Sequence, residues 1–147
     1  AREAGIATID RSRGAALADL NRDGLLDLIV VNRRAPLELY ENKSTGTGNW
    51  ISIDLEGTHN NVDAIGAFVE VRTHQGVQTR EVTIGGGHAG GQLTGQHFGL
   101  GSATQAEIRV IAPDGTVATD WVELPINANC GFSIKTGRFT CQPVAQR

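Results

Sequence analysis

Residues 19–32 read DLNRDGLLDLIVVN, and oxygen-bearing side chains occur at every second position as far as Gly24, with a further carboxylate at residue 27. Ca2+ binds about six to eight oxygen ligands, and a tight loop can gather them from its first, third and fifth side chains, its seventh carbonyl and a closing carboxylate. Gly24 falls where such a loop turns sharply. The stretch therefore predicts one calcium site with these ligands: Asp19, Asn21, Asp23, Leu25 through its carbonyl, and Asp27.

An ordinary polar turn is the alternative for this loop, since Asp, Asn and Gly are common turn formers. Three crowded carboxylates would repel one another without a cation, which favours a bound metal. An EF-hand is excluded, because it needs a Glu at the twelfth position and flanking helices, whereas Val30 stands there. The run LLDLIVVN is β-branched and too short for a helix, so the loop is predicted to join two strands.

Short alternating or β-branched runs continue along the chain, and its 147 residues include 19 glycines. Their spacing of about ten residues is typical of a sandwich or barrel. We therefore predict an all-β fold: a β-sandwich or barrel-like domain, preceded by a hairpin that carries the calcium loop and followed by a second hairpin. The predicted strands are 25–31, 37–40, 50–55, 67–73, 77–84, 96–99, 106–111, 121–124 and the pair around Cys130.

The two cysteines flank the segment GFSIKTGRFT, in which Thr136 and Gly137 are suited to a hairpin turn. Cysteines at the ends of such a hairpin lie nearly opposite each other, so Cys130 and Cys141 are predicted to form a disulfide. Two buried thiols are the alternative, and no suitably spaced His supports a metal pair. A disulfide indicates an oxidising compartment, so we expect an extracellular or cell-surface protein.

Charge and hydropathy exclude two classes of partner. The formal net charge is −3 and the sequence pI is about 5.8, which gives no basic surface for nucleic acid. No apolar run approaches the ~18 residues of a membrane span. The chain begins with Ala and contains no Met, so we expect a processed product or an excised piece, for which a cleaved secretory signal is one explanation.

Several motifs suggest chemistry that their surroundings do not support. GGGHAG at residues 85–90 has the spacing of a dinucleotide fingerprint, but the glycine-rich residues after it do not predict the required helix. His88 and His97 lack a matched third ligand or a nucleophile, so they are interpreted as a turn residue and a packed residue. A further group of carboxylates is interpreted as a solvated strand face rather than an acid pair: Asp54, Glu56, Asp63 and Glu70.

Three segments together resemble a known family. GAALADLNRDGLLDLIVVNRRAPLELYEN (14–42) resembles an FG-GAP or VCBS-type repeat, the calcium-binding blade unit of integrin-like β-propellers. NWISIDLEGTHNNVDAIGAFVEV (49–71), VQTREVTIGGGHAGGQLTGQHFGLGSA (77–103) and IRVIAPDG (108–115) are similar to the ASPIC/UnbV domain of the cartilage acidic protein 1-like family. The resemblance implies the same five calcium ligands and brings no catalytic residues.

The resemblance and the sequence pattern together predict a division of the chain. The resemblance implies a calcium-binding unit at 1–42 and an ASPIC/UnbV-like domain at 50–125, whereas the composition of KSTGTGN predicts a linker at 43–49. The disulfide hairpin at 126–147 has no counterpart in the family and is predicted from the two cysteines. A single blade cannot cover both of its faces. We therefore expect a non-enzymatic module for adhesion, binding or assembly with a protein partner or with itself. A carbohydrate-binding module is the alternative, with Tyr40, Trp50 or Trp121 as stacking platforms.

Overall fold

The computed structural model of the protein describes residues 2–86 and 90–144, and the regular elements within them are all β-strands. The all-β prediction is confirmed. These residues form two compact units: 2–45 with 84–86 and 90–92, and 46–83 with 93–144. Among the residues described, there is no helix with the length and apolar character that a membrane span requires.

The first unit is a three-stranded antiparallel sheet of β1 (Ser12–Ala18), β2 (Asp27–Asn32) and β3 (Glu38–Tyr40), in that order. The loop at residues 19–27, called the Asp19 loop below, joins β1 to β2, as the β-branched run after it predicted. β1 itself was not predicted, because its sequence SRGAALA contains no β-branched or aromatic residue. Its pairing with β2 supplies the hydrogen bonds that its local sequence does not favour.

Apolar side chains occupy both faces of this sheet. Leu17 and Leu28 are cross-strand partners on one face, and Ile29 and Leu39 are partners on the other. Leu17 is 46% exposed and Leu39 is 58% exposed. The fully buried apolar side chains among the described residues all belong to the second unit. The first unit therefore has apolar faces without a core of its own.

A glutamine covers part of one edge of this sheet. The side chain of Gln92 accepts a hydrogen bond from the backbone N–H of Leu17 at 3.0 Å and donates one to its carbonyl at 2.7 Å. These bonds satisfy backbone groups that a bare edge strand would present to a pairing chain. The edge of β1 is therefore partly closed, whereas the two faces of the sheet are not.

The second unit is a sandwich of two four-stranded sheets, with strand orders β11-β10-β4-β7 and β6-β5-β8-β9. All neighbours pair antiparallel except β4 and β10, which are parallel. The strands are β4 (Asn49–Glu56), β5 (Phe68–Thr73), β6 (Gly76–Glu81), β7 (Gln96–Gly101), β8 (Ala106–Ile111), β9 (Val117–Leu124), β10 (Ala128–Ser133) and β11 (Arg138–Pro143).

The core of the sandwich follows from alternation along its strands. Ile51 and Ile53 of β4 point inward and are fully buried, as are Val69 and Val71 of β5 in the opposite sheet. Phe68 lies outside this phase and is exposed. Side chains from both sheets form one contiguous apolar cluster, which is the main source of stability for this unit.

The disulfide between Cys130 and Cys141 is present and confirms the hairpin prediction. The two residues are direct cross-strand partners in β10 and β11. The turn is closed by the backbone N–H of Gly137, which donates to the carbonyl of Ser133 at 2.8 Å, and Gly137 has the positive φ of +65° that a glycine favours. Because β10 also pairs with β4, the hairpin supplies two strands of a sandwich sheet. The domain boundaries at 42, 49 and 125 stay a prediction.

Candidate functional site

The Asp19 loop is organised by hydrogen bonds from its own backbone. The carboxylate of Asp19 accepts from the N–H of Asp23 at 3.0 Å and from the N–H of Gly24 at 2.8 Å. Gly24 is buried and has a φ of +89°, a conformation that side chains strongly disfavour. The first residue of the predicted ligand set thus holds the turn at the fifth and sixth positions.

The middle of the loop uses its side chains in the same way. Asn21 accepts from the N–H of Asp23 at 3.1 Å and donates through its amide to the carboxylate of Asp23 at 3.0 Å. Asp23 in turn accepts from the N–H of Leu25 at 2.9 Å. The Asn21 amide also donates to Glu41 at 3.2 Å. Three predicted ligands therefore lie in one hydrogen-bonded turn.

Asp27 closes the loop from the start of β2. It is only 2% exposed, and its two carboxylate oxygens accept from the backbone N–H of Leu20 at 3.1 Å and of Asn42 at 2.8 Å. The Asn42 amide also donates to the carbonyl of Leu26 at 3.1 Å. Asp27 thereby links the two ends of the loop to the chain that leaves β3.

The residue types of the loop fit a hard cation, because each carboxylate oxygen keeps a lone pair after it accepts one amide hydrogen bond. Within residues 2–86 and 90–144, however, no group of three or more acidic, His or Cys side chains is gathered around a possible metal position. The hydrogen bonds alone account for the shape of the turn. Calcium at Asp19, Asn21, Asp23, Leu25 and Asp27 stays a prediction.

Two of the three aromatic side chains considered as sugar platforms, Trp50 and Trp121, pack against other side chains, whereas Tyr40 is half-buried. Trp50 is 7% exposed, and its ring stacks on that of His97, with 5.3 Å between centroids and 15° between planes. The guanidinium groups of Arg72 and Arg109 lie 4.3 Å and 4.7 Å from the ring centroid of Trp121. Both distances are within cation–π range. His97 is thus a packed residue, as expected, and His88 lies outside the described residues.

Two ion pairs lie on the outer face of the second sandwich sheet. Arg72 bonds Glu107 at 2.8 Å, and Arg109 bonds Glu70 at 2.6 Å, in both cases between direct cross-strand partners. The hydrogen bond from Arg72 holds the pKa of Glu107 below its ordinary value. Glu70, which the sequence assigned to a solvated face, is therefore ion-paired. These charges are satisfied within the sheet.

A recess next to β4 is the feature that sequence reasoning missed. It has a volume of about 230 Å3 and is lined by Ile53, Asp54, Leu55, Asp63, Val82, Leu93, Thr94 and Gln96. Asp54 and Asp63 are exposed, as the prediction of a solvated face requires, and both residues also line this recess. Burial raises the pKa of Asp54 above its ordinary value, although part of the residue remains exposed.

The loop before β5 presents Asp63 through a fixed backbone. The amide of Asn61 donates to the carbonyl of Ile65 at 2.8 Å and accepts from its N–H at 2.9 Å. Ala64, between them, is fully buried and has a φ of +52°, which an L-residue adopts only when its surroundings require it. A glycine at this position would have signalled the turn, but an alanine gives no such signal in the sequence.

The geometry defines the second unit as a disulfide-linked β-sandwich with a structured acidic recess. The family model described as ASPIC and UnbV matches residues 57–136, from the loop that presents Asp63 to the turn of the C-terminal hairpin. The chain therefore belongs to the ASPIC and UnbV family.

Curated relatives agree with this assignment. The chain is 31% identical to Cartilage acidic protein 1 of Xenopus tropicalis over 113 residues, and 28% identical to the proteins of the same name from Mus musculus and Homo sapiens. Each match covers 74% of this chain and 17% of the relative. The chain thus matches about a sixth of the length of these relatives.

Proposed function

We propose that the chain is an extracellular, non-catalytic β module that assembles with other polypeptides through the two apolar faces of the β1–β3 sheet. The observation that carries this proposal is the exposure of apolar side chains on both faces of that sheet, among them Leu17, Val31 and Leu39. Small exposed apolar groups are ordinary, but apolar residues on both faces of one sheet favour contact with further chain.

The size of the sheet supports this proposal. β3 has three residues, and small isolated sheets are marginal in water unless a face packs against another element. Covering apolar surface contributes about 25 cal/mol per Å2, so a partner that buries both faces would stabilise the unit substantially. The Gln92 bonds to Leu17 partly close the β1 edge, so face packing is favoured over addition of a strand there.

The Asp19 loop gives the first unit the character of an FG-GAP or VCBS-type repeat. Support comes from its place between two antiparallel strands and from the oxygen-rich turn at Asp19, Asn21 and Asp23. Calcium at this loop would fix the angle at which β1 meets β2, and so the geometry of the apolar faces. The cation would then act on assembly indirectly.

Calcium is expected to stabilise the chain measurably. A ligand that binds only the folded state stabilises it by RT ln(1 + [L]/Kd), which is about 2.7 kcal/mol at a hundred times Kd. We expect chelator-treated protein to bind Ca2+ in a calorimetric titration and to unfold at higher temperature with the ion. Asp23→Ala should abolish both effects, whereas Asp10→Ala, outside the loop, should preserve them. Absence of binding up to millimolar Ca2+ would contradict the site.

An extracellular location is supported by the Cys130–Cys141 disulfide, since structural disulfides persist in oxidising compartments. The non-catalytic assignment is supported by the family match, because the chain belongs to the ASPIC and UnbV family and is similar to proteins named Cartilage acidic protein 1. Among the described residues, the ring of His97 is stacked on that of Trp50. The covered rings of Trp50 and Trp121 favour a polypeptide partner over a carbohydrate.

Assembly between copies of the chain is the form of the proposal most readily tested. Sedimentation velocity over a range of concentrations should show association of the wild-type chain in calcium. Val31→Thr with Leu39→Thr should reduce it, because both substitutions make the same face of the sheet polar, the face that also carries Ile29. Val117→Thr with Val122→Thr changes exposed valines of the sandwich and should leave association unchanged. Equal association of both double variants would contradict a role for the sheet.

A further inference from the structure

β3 is an edge strand, and the backbone groups of Leu39 face away from β2. Both backbone groups of Leu17 bond to the Gln92 side chain, so Leu17 and Leu28 form a non-hydrogen-bonded pair of the β1–β2 ladder. The N–H and C=O of Leu28 therefore point towards its other partner, Tyr40. By alternation, those of Leu39 point outward, where they meet no hydrogen-bond partner in the part of the chain that the structure describes.

One face of the sheet is apolar and exposed at this edge. Leu39 is 58% exposed, as is Leu37 just before β3, and Val31 of β2 is 49% exposed. Leu39 and Val31 lie on the same face, because the partner of Leu39 is Ile29, two residues before Val31. An open edge with exposed apolar side chains is a template for pairing with another chain.

The other face of β3 carries acceptors that lack donors. Glu38 pairs with Val30, and Asn32 lies two residues further along β2 on the same face. Oε2 of Glu38 and Oδ1 of Asn32 are shielded from solvent, and neither accepts a hydrogen bond among the described residues. Burial raises the pKa of Tyr40, and the charge of Glu38 raises it further. This face therefore favours a neighbour that brings hydrogen-bond donors and positive charge.

We propose that the outer edge of β3 binds an extended segment of a partner polypeptide, which adds to the β1–β3 sheet as an antiparallel fourth strand, with an apolar residue opposite Leu39 and a basic residue opposite Glu38. The central residue of the segment exchanges two main-chain hydrogen bonds with Leu39. The residues on either side of it lie opposite Glu38 and Tyr40, with about 4.5–5.5 Å between Cβ atoms. The inference rests on the proposed function in taking a polypeptide partner for this sheet, and it adds the edge and the sequence pattern of that partner.

Two other strand edges are protected by side chains. On the outer edge of β1, the Gln92 amide occupies the backbone groups of Leu17. On the edge strand β6, the guanidinium of Arg80 lies 5.3 Å from the ring centroid of Phe98, a buried residue of the sandwich core. Charged side chains turned inward at an edge disfavour the addition of a strand. The edge of β3 has no comparable cover within the described residues, so strand addition is favoured there over these two edges.

The test titrates the dilute, monomeric full chain with the peptide acetyl-Ser-Val-Lys-Val-Lys-Val-Ser-amide, followed by 15N–1H correlation spectra. We expect saturable shifts at residues 37–41 and slower hydrogen exchange of the Leu39 amide. A peptide N-methylated at its central valine keeps every side chain but loses the donor to Leu39, and should bind at least about tenfold more weakly. A peptide with Glu in place of both lysines should also bind more weakly. No shift, equal binding of either control peptide, or shifts centred on β1 or β6 would each overturn the proposal.

Two variants locate the site on the chain. Leu39→Pro removes the outward N–H and leaves the β2–β3 ladder intact, as edge strands allow, and should weaken peptide binding by at least about tenfold. Glu38→Gln removes the charge and should weaken it about threefold. Glu81→Gln, an exposed carboxylate on the edge strand β6, should bind as the wild type does. Unchanged binding by Leu39→Pro and Glu38→Gln would overturn the site.

The N-methylated peptide leaves the protein unaltered, so it decides the question even if Leu39→Pro fails to fold. The test also separates this inference from assembly between copies of the chain. A wild-type chain that binds the peptide but does not self-associate would contradict only assembly between copies. A chain that self-associates but does not bind the peptide would contradict only strand addition at β3.

Discussion

Gly57→Ala is expected to destabilise the sandwich more than any other single glycine substitution in the described chain. A Cβ atom at residue 57 would lie 2.0 Å from the carbonyl oxygen of Asn61 and 2.9 Å from the backbone nitrogen of Ala64. Both are main-chain atoms that cannot rotate away. The Gly57 N–H also donates to the carbonyl of Val62 at 2.9 Å, which fixes the approach of the two segments.

The free energy of unfolding should fall by roughly 3 kcal/mol or more, at the upper end of what overpacking costs. Urea unfolding followed by tryptophan fluorescence measures it. Gly99→Ala is the matched control, because an added Cβ there meets nothing within 4 Å, and it should change stability by less than about 1 kcal/mol. Similar unfolding midpoints for the two variants would show that the loop from Gly57 to Ala64 is not packed as described.

Removal of the disulfide by Cys130→Ala with Cys141→Ala is the second large effect. The bridge closes a loop over a sequence separation of 11 residues, and constraint of the unfolded chain by such a loop contributes about 2–3 kcal/mol. Cys130 is also buried between β4 and β11, so its truncation removes some packing. We expect the double variant to unfold at a lower urea concentration than the oxidised wild type.

Reduction of the wild-type chain provides the control for packing. The reduced protein keeps both sulfur atoms and loses only the covalent constraint, so its midpoint should lie between those of the oxidised wild type and the double variant. Both forms should fold, because Phe132 and the rest of the sandwich core remain in place. Identical midpoints for oxidised and reduced protein would contradict a stabilising role for the bridge.

The sequence predicted strands well where burial alternates strictly. β8 has its observed limits, 106–111, because Ala106, Ile108 and Val110 alternate with polar residues and are all buried. β1 was missed, since its small residues have little intrinsic preference for a strand. The parallel pairing of β4 with β10 was also missed. It joins segments more than 70 residues apart, and no local pattern encodes such a partner.

The two candidate sites also differ in how far the sequence predicts them. The Asp19 loop is visible in the sequence because its groups are contiguous and their spacing carries the chemistry. The recess at Asp54 is not, because it brings together β4, the Asp63 loop and the segment before β7. The turn that carries Asp63 is equally hidden, because Ala64 has a positive φ without being a glycine.

Hydrogen exchange of the dilute, monomeric chain in calcium tests the central claim most directly. If the module assembles through the β1–β3 sheet, that sheet needs cover from another polypeptide, whereas the sandwich is complete. Amides of 12–18, 27–32 and 38–40 should then exchange much faster than those of β4, β5, β8 and β10, whose exchange requires opening of a packed core. Protection of the β1–β3 amides equal to that of the sandwich strands would show that the sheet is stable uncovered, and would contradict assembly through its faces.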